Sequence, residues 1–425
     1  MNITHDILVK NIVGHGFIEK YCVVNCWRIR GFFSVGAYTH LNSGANIWNA
    51  IIGRYSRVDA NVVIGFRKAE GSIFSNHYFA YSEDGFQNDN IEYSSLKSKR
   101  FYYDKQPITF IGHDVRIHQG AIVFAGVNIG VGAIVYPNSV VDCDVPAYAV
   151  VAGNPAKIIK YRFSDKIIKK LIELNWYNFD LSALKFLDMS NVREVIAFVE
   201  SNNLLSKKKV FERFYVNSYL KKISNINHST LVIGPSHIDM WQNNINSKKR
   251  DEPGFMLFGV NGLSLYSTKL QQIIDWFLEE ENRSIVLFIP DFRIGNVILG
   301  DSDVDLDPLF IYKGYLNEKC DIILYKKAIK ILDELACKYK NRIKFVFWCL
   351  MGREFENKKS GKYFESNGYK HPVWNYLDIK NRYSNNILEI PGVEDSMDEY
   401  IIPNNTIHPN ELGYDVIEKA INDFI

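Results

Sequence analysis

A parallel β-helix followed by an α/β domain is the fold the sequence predicts, on three observations. An apolar residue returns every six places over the first third of the chain, three- and four-residue spacings replace that rhythm after residue 155, and short apolar runs alternate with helix-patterned ones from residue 230. Helices repeat at 3.6 residues and ordinary strands at 2, so a sustained six fits neither. It fits units of one short strand and one corner, three to a coil of roughly 18 residues, with coils stacked ~4.8 Å apart in a three-sided prism. The period-2 alternation that an antiparallel sandwich would show is missing.

The rhythm runs through Phe17, Val23, Ile29, Val35, Leu41 and Ile47, takes one five-residue step to Ile52, and continues to Val58 and Ile64. It resumes at Ile111 and passes Ile117, Val123, Ile129, Val135, Val141 and Ala147, with a second small or apolar residue four places on at Val115, Ala121, Val127, Ala133, Ser139 and Val145. Corners need a backbone that tolerates positive φ, and Gly112, Gly120, Gly126, Gly130, Gly132 and Asn138 are expected there. Residues 66–107 break the repeat with an insertion rich in Tyr, Phe, Ser and Asn, far longer than an ordinary connection. Long insertions on rigid scaffolds tend to carry function.

The first domain is therefore expected over residues 1–160, with its inserted loop at 66–107. Residues 161–229 read as a helical cover and linker: Ile167, Ile168, Leu171, Ile172 and Leu174 follow a Ser164-Asp165 cap and are expected to lie over the open end of the prism. Strand-like runs at 231–233, 285–289 and 343–347 then alternate with helical patterns at 270–278, 322–339 and 411–424. That alternation predicts a flavodoxin-like α/β domain over 230–425 with a mainly parallel sheet, whose chemistry belongs at the carboxyl ends of its strands.

Composition narrows the partners. Charged residues make up 23% of the 425 and the net charge is +2, so no broad basic field points to nucleic acid. No apolar run reaches the ~18 residues that span a bilayer, and the first ten residues lack the layout of a secretion signal, so a cytoplasmic protein is expected. The six cysteines are scattered, without zinc-site pairing or a disulfide framework, and no metal is expected.

Three segments carry a resemblance. Ser75-Asn76-His77 in the inserted loop, Ile111-Gly112-His113-Asp114-Val115, and Val151-Ala152-Gly153-Asn154-Pro155-Ala156-Lys157 resemble the hexapeptide-repeat acyltransferases, on the branch of xenobiotic and sugar O-acetyltransferases, over roughly residues 30–180. The resemblance implies a left-handed β-helix, a homotrimer, and acetyl-CoA as donor in the groove between subunits. It implies His77 as general base; a neutral imidazole that takes the hydroxyl proton is worth about 10²- to 10⁴-fold. His118, facing outward after a core position, and His113, at a corner, are the rival bases. For the coenzyme it implies Lys157, Lys160 and Arg162 at the phosphates, with Asn154 and Gly126 in the groove. Arg116 stands where that family often has Trp, and His118 where it has Gly.

Downstream, Ile233-Gly234-Pro235-Ser236-His237 and Ile407-His408-Pro409-Asn410 resemble the first and last blocks of the SGNH hydrolase-like superfamily. Gly259-Val260-Asn261-Gly262 matches the second block, and Asp291 to Asn296 the third. The resemblance implies Ser236 as nucleophile, His408 as its base and Asn296, or Arg293, as oxyanion donor. The acid expected three residues before the histidine is Asn405, an amide that orients an imidazole without stabilising its cation; Asp395 and Asp398 are the alternatives. Together the two halves are read as an O-acetyltransferase acting on a capsular or other cell-surface polysaccharide, with a second domain that acts on or binds the acetylated glycan. The rival readings are an SGNH esterase on a trimerising scaffold, a non-catalytic glycan-binding protein, and an N-acetyltransferase of a nucleotide-linked aminosugar.

Overall fold

A computed structural model describes residues 11–66, 107–202, 209, 211–217, 222–224, 229–234, 237–238, 240–241, 245, 254–259, 265–266, 268–279, 281–289, 318–348, 351, 365–366, 369–370, 376–393, 396–401 and 408–425. Its contacts divide the chain into two compact units, Met1–Asn227 and His228–Ile425.

Short strands build the first unit. Before the insertion they are β1 (Ile12–Glu19), β2 (Val23–Val24), β3 (Arg28–Val35), β4 (His40–Leu41), β5 (Asn46–Ile52), β6 (Arg57–Val58) and β7 (Val63–Phe66). After it come β8 (Thr109–Ile111), β9 (Arg116–Ile117), β10 (Ile122–Phe124), β11 (Asn128–Ile129), β12 (Ile134–Val135) and β13 (Val140–Val141). The coil ends in β14 (Ala149–Gly153) and β15 (Ala156–Tyr161). Pairing is parallel from coil to coil, as in Leu41 beside Val58, Val58 beside Ile117 and Ile117 beside Val135. These side chains and their counterparts Ile29, Ile47, Ile64, Val123 and Val141 fill one buried core. Each such Val or Ile contributes about 1.5–3 kcal/mol by leaving water.

The first coil departs from the expected register. Ile12 pairs with Ile29 and Ile18 with Val35, so Ile12, Ile18 and Val24 line the core in place of Phe17 and Val23. A second five-residue step, Val24 to Ile29, causes the shift. Phe17 is buried instead outside the core, against Phe32 and Tyr215. Ala147 likewise packs outward and Val145 takes the inner place.

The corner between Val35 and Leu41, repeated in each coil, carries Tyr21, Tyr38, Tyr55, Asp114, Gly132 and Tyr148, all at positive φ. Stacking offsets the strain of this left-handed backbone: Tyr21, Tyr38 and Tyr55 lie ring on ring at 5.3 and 5.1 Å. At Gly132 a Cβ would come within 2.4 Å of the Tyr148 ring. Gly112 and Gly130, expected at positive φ, are required by close approach instead, since a Cβ would lie 2.7 Å from the Val131 nitrogen and 2.4 Å from the Ala147 nitrogen.

Helices α1 (Asp165–Leu174) and α2 (Val192–Ser201) pack on Tyr148, Val131 and Ala147 along this corner, so the cover expected over the open end is a buttress on the side. The corner draws it because it presents aromatic surface outward, with Trp176 on Tyr55 at 5.3 Å and Phe211 on Tyr38 at 6.3 Å. The terminal coil is closed by β15, which folds back antiparallel on β14 and tucks Ala156 into the core. β16 (Arg213–Asn217) then pairs antiparallel with β1 at the other end, and β17 (Lys222–Ser224) pairs antiparallel with β16. Glu19, Arg54 and Asn178, all buried, meet the half-buried Arg213 there, with Arg54 donating to both Glu19 oxygens at 2.7 and 2.9 Å and to Asn178 Oδ1 at 2.6 Å.

In the second unit β18 (Thr230–Gly234), β19 (Met256–Gly259), β20 (Ser284–Phe288) and β21 (Ile343–Val346) form a parallel sheet in the order β19-β18-β20-β21. The chain leaves β18 to one side and returns on the other, so its carboxyl end is a topological switch point, where ligands bind in open α/β sheets. Among the described residues no helix is long and apolar enough to cross a membrane.

Candidate active site

The inserted loop springs from a single corner. Phe66 accepts a hydrogen bond from the Ala125 nitrogen at 2.8 Å and stacks on Phe124 at 5.7 Å. The returning Pro107 lies against Gly126, where φ is +82° and an added Cβ would press on the proline at 3.0 Å. Gly126 also donates its N–H to Thr109 Oγ1 at 3.2 Å. Both stems of residues 67–106 are therefore anchored on residues 124–126; His77 itself lies outside the described residues.

The rival histidines have different surroundings. His113 Nδ1 accepts from the Arg54 backbone N–H at 2.9 Å, and its ring stacks on Tyr177 at 3.8 Å and 6°. It is built into the buttress. His118 stands outside, on the face formed by β2, β4, β6, β9, β12, β14 and β15, with Nδ1 3.4 Å from Asp59 Oδ2 and its ring edge-on to Tyr136 at 6.1 Å. Burial and the Arg116 charge pull its pKa below the ordinary value, against the opposing pull of Asp59, so the ring is neutral near pH 7. Asp59 also holds Arg57 Nε at 2.7 Å and Arg116 at 3.7 Å. The sequence reading missed Asp59, although the repeat contains it: Asp59 follows the core residue Val58 as His118 follows Ile117, one coil apart.

Of the residues expected at the coenzyme, Lys157 and Lys160 are exposed on β15. Asn154 precedes Pro155 through a cis peptide at the β14–β15 turn. Arg162 has inner partners, donating to Asp114 at 2.8 Å and the Gly132 carbonyl at 2.7 Å over the Tyr148 and Phe163 rings. The two lysines are free to meet phosphates; Arg162 would have to leave Asp114.

In the second unit Gly234 ends β18 where a Cβ would lie 2.5 Å from Ile238 and 2.7 Å from Phe288, so only glycine lets the chain turn here against β20. His237 follows, buried, and stacks on His408 at 4.4 Å and 15°. Tyr414, on α3 (Glu411–Phe424), donates to the His237 carbonyl at 2.8 Å, and Asn410 caps that helix on the Gly413 N–H at 2.9 Å. Two chain segments 171 residues apart thus converge at the switch point. Ser236, Asn296, Arg293, Asp395 and Asn405 lie outside the described residues, as does most of the second block; Asp398 is on a short helix, Met397–Tyr400. His237 was not singled out from sequence.

No family model matches the chain. Over 83 residues, 20% of this chain and 40% of the relative, it is 46% identical to a chloramphenicol acetyltransferase of Klebsiella aerogenes. Over 70 residues, 16% of this chain and 39% of the relative, it is 49% identical to a probable macrolide acetyltransferase of Lysinibacillus sphaericus. The chain spans less than half the length of these curated relatives. A hexapeptide-repeat acetyltransferase from Vibrio cholerae O1 biovar eltor, solved with acetyl coenzyme A, aligns with 35% of this chain and 72% of its own at 20% identity, with a TM-score of 0.25. Over these stretches, which lie in the coiled parallel unit, the chain is similar to acetyltransferases.

Proposed function

We propose that the chain is an acetyl-CoA-dependent O-acetyltransferase that modifies a sugar hydroxyl of a capsular or other surface polysaccharide and works as a homotrimer. The observation that carries this reading is the insertion of a histidine-bearing loop at one corner of a six-residue β-coil whose sequence matches acetyltransferases. His77 takes the hydroxyl proton as the oxygen attacks the thioester carbonyl. The tetrahedral adduct then collapses to the ester, and the departing thiolate recovers the proton from the imidazolium. Lys157 and Lys160 meet the coenzyme's phosphates, with Asn154 and Gly126 shaping the groove. In the second unit Ser236 and His408 act on the acetyl ester or hold the acetylated glycan, and the convergence of His237 on His408 at the switch point supports a site there.

A second reading of the first site has one specific observation behind it. His118 is an outward, neutral imidazole with a carboxylate at its other edge, the arrangement that orients a base. Acetyl transfer from labelled acetyl-CoA to a polysaccharide, compared for His77→Ala and His118→Ala, separates the two. Transfer falls by at least a hundredfold in the variant that lost the base and by less than tenfold in the other. Transfer undiminished in both sinks the transferase reading, and product stable to mild alkali identifies an amide in place of an ester. Ser236→Ala is expected to abolish release of acetate from an acetylated glycan while leaving transfer intact.

A further inference from the structure

One face of the prism is unlike the other two. Its outward column, read strand by strand from the pairing register, is Val23, His40, Arg57, Arg116, Ile134, Val150 and Lys160. The neighbouring column holds Asp59, His118, Tyr136, Ala152 and Lys157. The corresponding columns on the other faces read Arg28, Asn46, Val63, Ile122 and Val140, with Arg30, Trp48 and Asp142 beside them, and Ser34, Ile51, Phe110, Asn128 and Asp144. This face carries Arg57, Arg116, Lys157 and Lys160, against Arg28 and Arg30 on another, in a chain whose net charge is +2. Asp59 is the one carboxylate in the two columns of this face, while Asp142 and Asp144 stand on the others.

Asp59 does not neutralise the two arginines it touches. It takes Arg57 through Nε, leaving that side chain 56% exposed, and reaches Arg116 at 3.7 Å, which is too long for a hydrogen bond, with that side chain 46% exposed. One carboxylate thus lies between two guanidinium groups on adjacent coils, whose strands are about 4.8 Å apart, and each side chain keeps about half of its surface in solvent. One coil further on stands Tyr136, 38% exposed, a ring on which a sugar face can stack. Three strand steps beyond Arg116, about 14 Å along the prism, Lys160 and Lys157 present charge again.

We infer that this face binds an acidic glycan lengthwise, with carboxylate or phosphate groups at Arg57 and Arg116, a sugar ring on Tyr136, and the chain running toward Lys160. The inference rests on the transferase reading for the glycan's role as acceptor. Binding itself can be tested apart from transfer.

The test titrates the full-length protein, without acetyl-CoA, with hexagalacturonate, which carries a carboxylate on every sugar, and with maltohexaose, which carries none. Hexagalacturonate is expected to bind at low salt and weaken steeply as salt rises, while maltohexaose gives no measurable binding. Arg57→Gln/Arg116→Gln is expected to weaken hexagalacturonate about tenfold and leave coenzyme A binding unchanged, the latter showing that the variant is folded. Arg57→Lys/Arg116→Lys, which keeps the charge, is expected to retain most of the affinity. Equal binding by the wild type and the Gln variant overturns the inference, as does maltohexaose binding as well as the acid. Loss of coenzyme A binding in a folded Gln variant also overturns it, because the arginines then serve the donor's phosphates. Arginine-dependent binding without acetyl transfer leaves the inference standing and removes the transferase reading. His77-dependent transfer with arginine-independent binding does the reverse.

Discussion

Two carboxylates of the first unit are each approached by two arginines, and they play opposite parts. Glu19 receives both guanidinium groups squarely, Arg54 at 2.7 and 2.9 Å and Arg213 at 3.0 and 2.6 Å, with the Ala37 N–H at 2.9 Å completing its shell. All three side chains are largely sealed from water. Asp59 meets Arg57 and Arg116 obliquely at the surface. The buried cluster joins coils distant in sequence to the returning strand β16, and its charges are used up in that task. The surface cluster holds its charges apart and leaves them available. Geometry and burial, more than the identity of the pair, separate a structural ion network from a binding surface.

The largest effect that sharpens this contrast is on stability. Glu19→Ala strands two buried guanidinium groups and is expected to cost about 3–5 kcal/mol, read as a drop in the unfolding midpoint of the first unit and as lost exchange protection in β16. A midpoint within about 1 kcal/mol of wild type would mean that the network is held by Arg54 over Phe211 and by Asn178 without its carboxylate.

Acid tests the same network with its sign fixed. Burial alone would raise the Glu19 pKa, but the charge of Arg213 and the hydrogen bond and charge of Arg54 outweigh it and bring it from 4.5 to about 2. Its stabilisation is therefore present in full above pH 4.5 and is lost as pH falls toward 2, about 3 kcal/mol in all. His15, edge-on to Phe32, is pushed by burial from 6.5 to about 4. A histidine held neutral in the fold favours the unfolded chain once that chain can take the proton, so an earlier loss sets in below pH 6.5. Denaturant midpoints from pH 7 to 2 should show two stages. Glu19→Gln removes the lower one only, and His15→Phe the upper one only.

The coil was legible because its core is a strict repeat: from Ile29 to Val141 the inward positions fall where the six-residue count puts them, apart from the single step before Ile52. The count failed at the first coil, where a second five-residue step after Val24 moved Phe17 and Val23 out of the core; a periodicity read from one side cannot see a corner that has lost a residue. The parallel sheet of the second unit was legible from its β-rich apolar runs, each buried on both faces. The buttress along the aromatic corner was not, because that corner is made of tyrosines at positive φ, where glycine or asparagine is the ordinary choice. Asp59 behind His118 and His237 against His408 are pairings across coils and across 171 residues. Only the register of the fold brings them together.

The smallest effect is the most discriminating between the two clusters. Asp59→Asn removes a carboxylate that is itself only 14% exposed but whose partners are half in water, so stability should change by less than about 1 kcal/mol, against several for Glu19. Its consequence belongs to charge: the amide no longer opposes Arg57 and Arg116, and hexagalacturonate should bind about two- to fivefold more tightly at low salt, with the gain vanishing at high salt. The His118 pKa should fall further at the same time, since Asp59 is the contribution that raises it. If His118 is the base, the pH at which transfer reaches half its plateau shifts downward with it; if His77 is the base, that midpoint stays where it was. An unchanged affinity for the acidic glycan would show that the two arginines are solvated charges and nothing more.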